Sequence, residues 1–210
     1  TDPDGDAGLM YFFWYVDGVS VFNETVSSLS STDVANTTLL SGNFTKGEVV
    51  YYNVTPSNSS ENGTAVKSSE ITISNLVPST VSSLNSSSLL NKTGESLSGY
   101  FTFSDVDSAD TLGGNHTKWY KDNAVQTSLE NFTTILSGNT TKDEVWIFSV
   151  RVNDSEDWSP WVNSSALTIA NSVPTVSVIL NSTSADNTTL DNLTTTFTFA
   201  DDDSGDSISA

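Results

Sequence analysis

The segment that decides the fold is Val145–Val152, with the sequence VWIFSVRV, in which a large apolar side chain stands at every second position. These side chains belong to Trp146, Phe148, Val150 and Val152. Successive side chains of a β-strand point to opposite faces, so a period of two directs one row of them into a core. The segment therefore predicts a β-strand with one buried face.

The sequence around this strand occurs more than once, at an offset of 96 residues. Leu-Ser-Gly-Asn at Leu40–Asn43 returns at Leu136–Asn139, and Phe-Thr-Phe at Phe101–Phe103 returns at Phe197–Phe199. Internal repetition at a fixed period is typical of stacked domains of one fold. Tyr52 and Val54 occupy in the first copy the row that Phe148 and Val150 occupy in the second.

One connection differs between the copies. Trp14-Tyr15 returns as Trp119-Tyr120 at an offset of 105, so the first copy carries nine more residues between this pair and the Leu-Ser-Gly-Asn motif. Extra length of this kind usually lies in a surface loop. We therefore expect a longer surface loop in the first copy.

Turn and strand signals favour an all-β fold. Asp17-Gly18 and Asp122-Asn123 follow the Trp-Tyr pairs and predict tight hairpin turns. Leu97–Phe103 and Leu193–Phe199 are rich in Thr and aromatic residues, which strands prefer. No segment has the apolar period and caps of a helix. About seven short strands in a unit of this length predict a β-sandwich.

The order of these motifs resembles the immunoglobulin-like and fibronectin type III-like repeats of archaeal and bacterial surface proteins. Val-Pro opens each unit, Phe-Thr-Phe, an acidic loop and Trp-Tyr follow, and an aromatic strand ending at Val152–Asp154 precedes Trp158–Val162. The resemblance implies tandem immunoglobulin-like β-sandwich domains, in which Trp14 and Trp119 match the core tryptophan of the third strand. The chain has no cysteine, so the disulfide of antibody domains is absent.

The repeat boundaries then predict one complete domain and two partial ones. Residues 76–171 form the complete immunoglobulin-like domain, residues 1–75 the C-terminal part of another, and residues 172–210 the N-terminal part of a further one. A half sandwich exposes a bare core and needs completion. Either adjacent repeats of a longer chain supply the missing half, or a neighbouring subunit does so by head-to-tail strand complementation. We expect the sequence to be a mature product or a window of a longer protein.

Composition excludes several classes of partner. The chain has 26 acidic and seven basic residues and a net charge of −19, which repels nucleic acid and anionic lipid. No apolar run reaches the roughly 18 residues that a membrane-spanning helix needs. We therefore expect neither nucleic-acid binding nor a membrane span in this segment.

Asparagine usage gives the strongest chemical signal. Of 19 asparagines, 16 begin Asn-x-Ser/Thr without an intervening proline, against about six expected by chance from a Ser and Thr content of 64 in 210 residues. This triplet is the acceptor of N-glycans, which implies export to the cell surface. The alternative is a chain biased towards turn residues. The acceptors are Asn23, Asn36, Asn43, Asn53, Asn58, Asn62, Asn85, Asn91, Asn115, Asn131, Asn139, Asn153, Asn163, Asn181, Asn187 and Asn192.

Three acidic loops recur with the repeat and raise the question of calcium. Alternating carboxylates around Gly or Ser suit a hard cation with six to eight oxygen ligands. The alternative is a polar turn in which Asp and Gly set the backbone geometry, and both interpretations stay open here. The candidate ligands are Asp2, Asp4 and Asp6, then Asp105, Asp107 and Asp110, and finally Asp201, Asp203 and Asp206.

The remaining chemistry does not suggest an enzyme. His116, the single histidine, lies inside an acceptor triplet with no companion for nucleophilic catalysis. Trp158 and Trp161 offer a sugar-stacking face, or else cover a sandwich edge beside Pro160. We expect no catalytic residues.

These observations favour a structural role: a heavily N-glycosylated repeat of an extracellular filament, stalk or surface layer, with further copies of itself or adjacent repeats as partners. Two alternatives are an adhesin or carbohydrate-binding module, and spacer domains of a larger secreted enzyme. A filament predicts regular polymer, an adhesin predicts saturable binding, and a spacer predicts a catalytic sequence elsewhere in the protein.

Overall fold

The computed structural model describes residues 8–30, 32–58, 60–203 and 206, and in this part of the chain the fold is all-β, as predicted. Two single-turn 3-10 helices, Ser41–Asn43 and Thr127–Leu129, are the only helical elements there. The strands are β1 (Gly8–Val16), β2 (Val19–Leu29), β3 (Val49–Ser57), β4 (Val66–Lys67), β5 (Ile71–Thr72), β6 (Ser82–Ser86), β7 (Leu97–Phe101), β8 (Gly114–Lys121), β9 (Ala124–Val125), β10 (Thr134–Ile135), β11 (Val145–Asn153), β12 (Val162–Asn163), β13 (Leu167–Thr168), β14 (Thr175–Ser182) and β15 (Leu193–Ala200).

The chain divides into two compact units. Unit 1 comprises Thr1–Leu76 with Val106–Ala109, and unit 2 comprises Val77–Asp105 with Asp110–Ala210. The division after Leu76 lies one residue from the predicted boundary, whereas residues 172–210 group with the preceding repeat. The assignment of these ranges to immunoglobulin-like domains stays a prediction.

In unit 1, all five described strands form one antiparallel sheet in the order β2-β1-β3-β4, with β5 also paired to β3. The β1–β2 turn has positive φ at both central residues, Asp17 (46°) and Gly18 (79°). Such two-residue turns match the right-handed twist of paired strands. Asp122 (50°) and Asn123 (65°) form the same turn between β8 and β9, so both hairpin predictions are confirmed.

The expectation of a longer surface loop in the first copy is wrong. The extra length lengthens a strand instead: β2 has 11 residues and its counterpart β9 has two, a difference that equals the nine extra residues. From Val19 opposite Val16 to Leu29 opposite Gly8, β2 follows β1 along its whole length. The register shifts between Gly8 and Met10 and between Trp14 and Tyr15, so β2 accommodates some of its residues in bulges while most of its length pairs with β1.

Unit 2 contains two sheets that share a core. One has the order β10-β7-β6, and the other β12-β11-β8-β9 with β13 also on β11. Strands β14 and β15 form a separate hairpin. Side chains from both larger sheets make one cluster, which is the sandwich-like packing that alternating strands require. The cluster consists of Leu97, Trp119, Ile135, Trp146, Phe148, Val150, Val152, Leu167 and Ile169.

Trp119 on β8 is central to this core. Its side chain is fully buried, and its ring centroid lies 5.0 Å from that of Phe148 and 6.2 Å from that of Trp146. A buried indole needs a hydrogen-bond acceptor, and Nε1 donates to the Phe132 carbonyl at 2.9 Å. The alternating row of β11 is buried as predicted, from 3% exposure at Trp146 to none at Phe148.

The hydrogen bonds of the two copies repeat with the sequence. The carboxylate of Asp17 accepts from the Val49 N–H at 2.9 Å, and that of Asp122 accepts from the Val145 N–H at 2.9 Å. Likewise the Ser68 N–H donates to the Tyr52 carbonyl at 2.9 Å, as the Ser164 N–H does to the Phe148 carbonyl at 2.8 Å. The sheet of unit 1 and the larger sheet of unit 2 are therefore built from the same local interactions.

Close contact between the two sheets of unit 2 requires glycine at position 99. A Cβ there would overlap the ring carbons of Phe148. We expect Gly99→Ala to lower the free energy of unfolding by about 1–3 kcal/mol, as overpacking does. Urea unfolding followed by tryptophan fluorescence measures this change. Gly114→Ala is the matched control, because a Cβ there meets only Trp158 at 3.8 Å. Equal midpoints for the two variants would contradict the expected overlap.

A buried ion pair ties the turn before β11 to β8. Glu144 is 9% exposed, and its Oε1 lies 2.5 Å from the Lys121 ammonium. Its Oε2 accepts from the Thr141 N–H at 2.9 Å and from the Trp146 indole at 3.0 Å. Burial alone would raise the pKa of Glu144, but the hydrogen bonds from Lys121 and these donors hold the pKa below its usual value.

This depressed pKa predicts a pH-dependent stability. The ionised Glu144 stabilises the folded chain fully above its unfolded pKa of about 4.3. That contribution is lost as the pH falls through the lower pKa of the folded state. We expect Glu144→Gln to reduce the urea midpoint at pH 7 and to differ much less from wild type at pH 2.5. A difference that stays constant between these pH values would show that the charge of Glu144 contributes nothing.

Candidate functional site

All 16 acceptor asparagines lie among the described residues, and none is buried. A glycan can be attached and accommodated only on an accessible side chain. Four acceptors are half-buried: Asn53, Asn58, Asn91 and Asn153. The exposed acceptors are Asn23, Asn36, Asn43, Asn62, Asn85, Asn115, Asn131, Asn139, Asn163, Asn181, Asn187 and Asn192.

Among the half-buried acceptors, Asn153 and Asn91 have their side chains in local hydrogen bonds. The Asn153 amide donates to the Asp157 carbonyl at 2.8 Å and accepts from the Ser155 N–H at 2.8 Å. The Asn91 side-chain oxygen accepts from the Ser86 hydroxyl at 3.0 Å. A glycan on the nitrogen of Asn153 would require this turn to open. The exposed Asn139 likewise donates its amide to the Leu136 carbonyl at 3.0 Å, so burial and not hydrogen bonding separates the four half-buried asparagines from the exposed twelve.

The second acidic loop is completed by a residue that the sequence did not suggest. Asp105 and Asp110 each place a carboxylate oxygen within 4.8 Å of Asp154, which is 5% exposed. Asp107, predicted with them, is not part of this group; its carboxylate accepts from the Leu76 N–H at 2.9 Å. Strand pairing explains why Asp154 lies beside this loop. Asn153 at the end of β11 pairs with Gly114 at the start of β8, and Gly114 comes just after the acidic loop.

The third loop brings together the predicted trio Asp201, Asp203 and Asp206, with carboxylate oxygens within 4.8 Å of one another. Asp203 is 3% exposed, and its Oδ2 accepts from the Ser172 N–H at 2.6 Å. Its Oδ1 is buried and has no hydrogen-bond partner among the residues that the structure describes. An unsatisfied buried carboxylate oxygen is costly, and a bound cation would relieve that cost.

A lysine already neutralises part of this loop. The Lys142 ammonium lies 3.0 Å from Asp206 Oδ1 and 3.0 Å from Asn171 Oδ1. The hydrogen bond with Asp206 raises the pKa of Lys142. Calcium at this loop would therefore share Asp206 with Lys142, whereas Asp203 offers a free oxygen. The predicted ligands Asp2, Asp4 and Asp6 lie outside the described residues.

The two exposed tryptophans are stacked with cations. The Arg151 guanidinium carbon lies 4.6 Å from the ring centroid of Trp158 and 5.0 Å from that of Trp161. The Lys118 ammonium lies 4.4 Å from the Trp161 ring, and the His116 ring stacks on Trp158 at 4.5 Å. The sequence did not predict this ladder of cationic side chains and tryptophan rings, because the ladder forms only when β8 and β11 lie side by side. These contacts occupy ring surface that sugar stacking would need. They also show that His116 packs against the Trp158 ring.

One apolar face in unit 2 is open to solvent. Val176, Val178, Leu180, Leu193 and Phe197 on the β14–β15 hairpin are each more than 60% exposed. In antiparallel pairing Val178 lies opposite Phe197, so these side chains share one face. Exposed apolar patches of this kind mark interaction sites.

Among the described residues, no helix is long and apolar enough to cross a membrane.

A scan against models of known protein families found no match for this chain, and a search of curated proteins found no matching sequence. The family indicated by the sequence therefore stays a resemblance.

Proposed function

We propose that this chain is a structural repeat of a heavily N-glycosylated extracellular filament, stalk or surface layer, built from tandem immunoglobulin-like β-sandwich domains. One observation carries the proposal: 16 of 19 asparagines are acceptors, and all 16 are exposed or half-buried. The three asparagines outside the triplets are also exposed or half-buried, so it is the frequency of the triplets, 16 against about six expected by chance, that distinguishes this chain from one with a compositional bias. Glycans at this density would cover strand edges and hinder proteolysis.

Two further features support a structural role for a repeated domain. The hydrogen bonds of the two copies recur with the sequence, as in a chain of similar domains. The net charge of −19 keeps a repetitive surface soluble and discourages non-specific association. A carbohydrate-binding role depends on the tryptophan pair, whose ring faces stack with Arg151 and Lys118. We therefore place the structural role ahead of the adhesin alternative.

We propose calcium as a stabilising ligand of the acidic loops. Three carboxylates within 4.8 Å repel one another, and a hard cation with oxygen preference would offset the repulsion. Asp203, with its buried unpartnered Oδ1, is the ligand on which the third loop depends. Asp154 takes the corresponding place beside Asp105 and Asp110, instead of Asp107.

The glycan proposal predicts the pattern of modification in native material. Glycopeptide mass spectrometry should find glycans on most of the exposed acceptors and lower occupancy at Asn53, Asn58, Asn91 and Asn153, because half-buried amides are harder to reach. The three asparagines outside the triplet, Asn75, Asn123 and Asn171, are internal controls and should be bare. Unmodified peptides across the exposed acceptors would refute the glycosylated coat.

The calcium proposal predicts a dependence of the melting temperature on the metal. Calcium at 100 times its dissociation constant should stabilise the fold by about 2.7 kcal/mol, which raises the melting temperature by several degrees. Differential scanning calorimetry with calcium and with chelator measures this shift. Asp203→Asn should reduce it, whereas Asp186→Asn, in an exposed loop outside both clusters, should not. An identical melting temperature with and without chelator would exclude calcium as a stabilising ligand.

A further inference from the structure

The open face of the β14–β15 hairpin has a one-sided chemistry. Val178 and Phe197 are 64% and 67% exposed and lie opposite each other. The reverse face, which includes Ser177 and Thr196, is mostly polar and carries the acceptor Asn181. A glycan on Asn181 would leave the apolar face free. Water-exposed apolar area on this scale is unfavourable, so the face is suited to a partner.

The preceding repeat contains the same hairpin with its apolar face covered. Strands β6 and β7 lie 96 residues earlier, and Leu97, the counterpart of Leu193, is fully buried there. Leu84 and Phe101, the counterparts of Leu180 and Phe197, pack against the same core. The covering layer is the sheet that contains Trp119 and Phe148. The β6–β7 hairpin of unit 2 therefore shows how a hairpin of this kind packs when a second sheet covers its apolar face.

Unit 1 contains the counterpart of that covering sheet. Trp14 and Tyr52 stand where Trp119 and Phe148 stand in unit 2. They are only half-buried, whereas Trp119 and Phe148 are not exposed at all. All described strands of unit 1 belong to this single sheet. On the same face Phe12, Val16 and Val50 are 6% exposed, so other parts of the chain cover some of it, whereas Trp14 and Tyr52 stay half-buried and no second sheet among the described strands of unit 1 covers them.

An edge segment is also missing its strand partner. In unit 2, β10 pairs with β7, with Ile135 directly opposite Leu97. The counterpart of β10 in unit 1 is Thr38–Leu39, which belongs to no strand. The counterpart of Leu97 is Leu193 on β15. If β15 paired with Thr38–Leu39 as β7 pairs with β10, Leu39 would therefore lie directly opposite Leu193.

We propose that the β14–β15 hairpin of one copy packs on the β1–β3 face of a second copy and that its β15 pairs with Thr38–Leu39 of that copy. The inference rests on the proposed structural role and specifies how its subunits join. The two surfaces differ, so the contact is heterologous and each added copy leaves one surface of each kind open. Such a contact builds a linear head-to-tail polymer.

Some side chains differ between the repeats, and these differences determine how the β14–β15 hairpin can pack on the β1–β3 face. Thr195 replaces Gly99, whose position is tightly packed against Phe148. The ring of Tyr52 must therefore turn away from the orientation of Phe148, and its half-buried position leaves room for this movement. Because both copies are strongly acidic, added salt should strengthen their association by screening the repulsion.

Sedimentation velocity on the 210-residue chain, produced without glycans, tests the assembly separately from glycosylation. We expect concentration-dependent linear oligomers. Phe197→Asp should weaken association at least about tenfold, because it would bury an unpaired charge. Thr196→Asp, on the reverse face of the same strand, should leave association unchanged. Circular dichroism of both variants checks that the hairpin is intact.

Cysteine cross-linking tests the register. The chain has no cysteine, so a Leu39→Cys variant mixed with a Leu193→Cys variant can form only new disulfides. Directly opposed strand residues lie within disulfide range. We expect a disulfide-linked heterodimer in the mixture and little product with Thr196→Cys in place of Leu193→Cys.

Three results would overturn the proposal. These are a wild-type chain that stays monomeric at high concentration and high salt, oligomers that Phe197→Asp does not weaken, and cross-linking that does not distinguish position 193 from position 196. Native material in which the hairpin cross-links only to the same chain would overturn a second copy as the partner. Bare asparagines together with intact assembly would refute the glycan coat alone.

Discussion

The fold of this protein depends on the fact that a β-sheet with one apolar face needs a second layer. In unit 2 the requirement is met by two sheets that enclose Trp119, Phe148 and Leu97. The contact is close enough that position 99 has no room for a side chain, and the buried indole is satisfied by a backbone carbonyl. Where the described strands provide no second sheet, the cover is incomplete: the apolar side chains of β14–β15 are largely exposed, and on the β1–β3 face Trp14 and Tyr52 are half-buried although Phe12, Val16 and Val50 are buried.

The asparagines of the Asn-x-Ser/Thr triplets are all exposed or half-buried. Acceptor asparagines occur in strands and loops alike, yet none of them enters the core. Within β14, the acceptor Asn181 lies on the polar face and leaves the apolar face free. A glycosylated surface and an apolar joining face can therefore coexist on one hairpin, since strand alternation sends the two kinds of side chain in opposite directions.

Exposed tryptophans and acidic loops are organised by strand pairing. The Lys118 ammonium reaches Trp161, the His116 ring reaches Trp158, and Asp154 reaches the loop before β8, because β11 lies antiparallel to β8. Both arrangements therefore depend on this strand pairing. Their chemistry differs, since the ladder pairs cations with aromatic rings, whereas the acidic group concentrates negative charge that calls for a counter-ion.

The all-β class, the hairpin turns and the buried row of β11 could be predicted from the sequence. Each of these follows from local patterns: side-chain alternation, and residues that tolerate positive φ such as Asp17-Gly18. Acceptor triplets could also be read directly, because they are contiguous in the chain.

The three-dimensional structure was needed to show which distant residues meet. It lengthened β2 where the sequence suggested a loop, because pairing with β1 depends on register and not on composition. It replaced Asp107 by Asp154 in the second acidic group, since strand pairing brings Asp154 to the loop from the far end of β11. It also showed which apolar faces are covered, a property of packing that no local pattern contains.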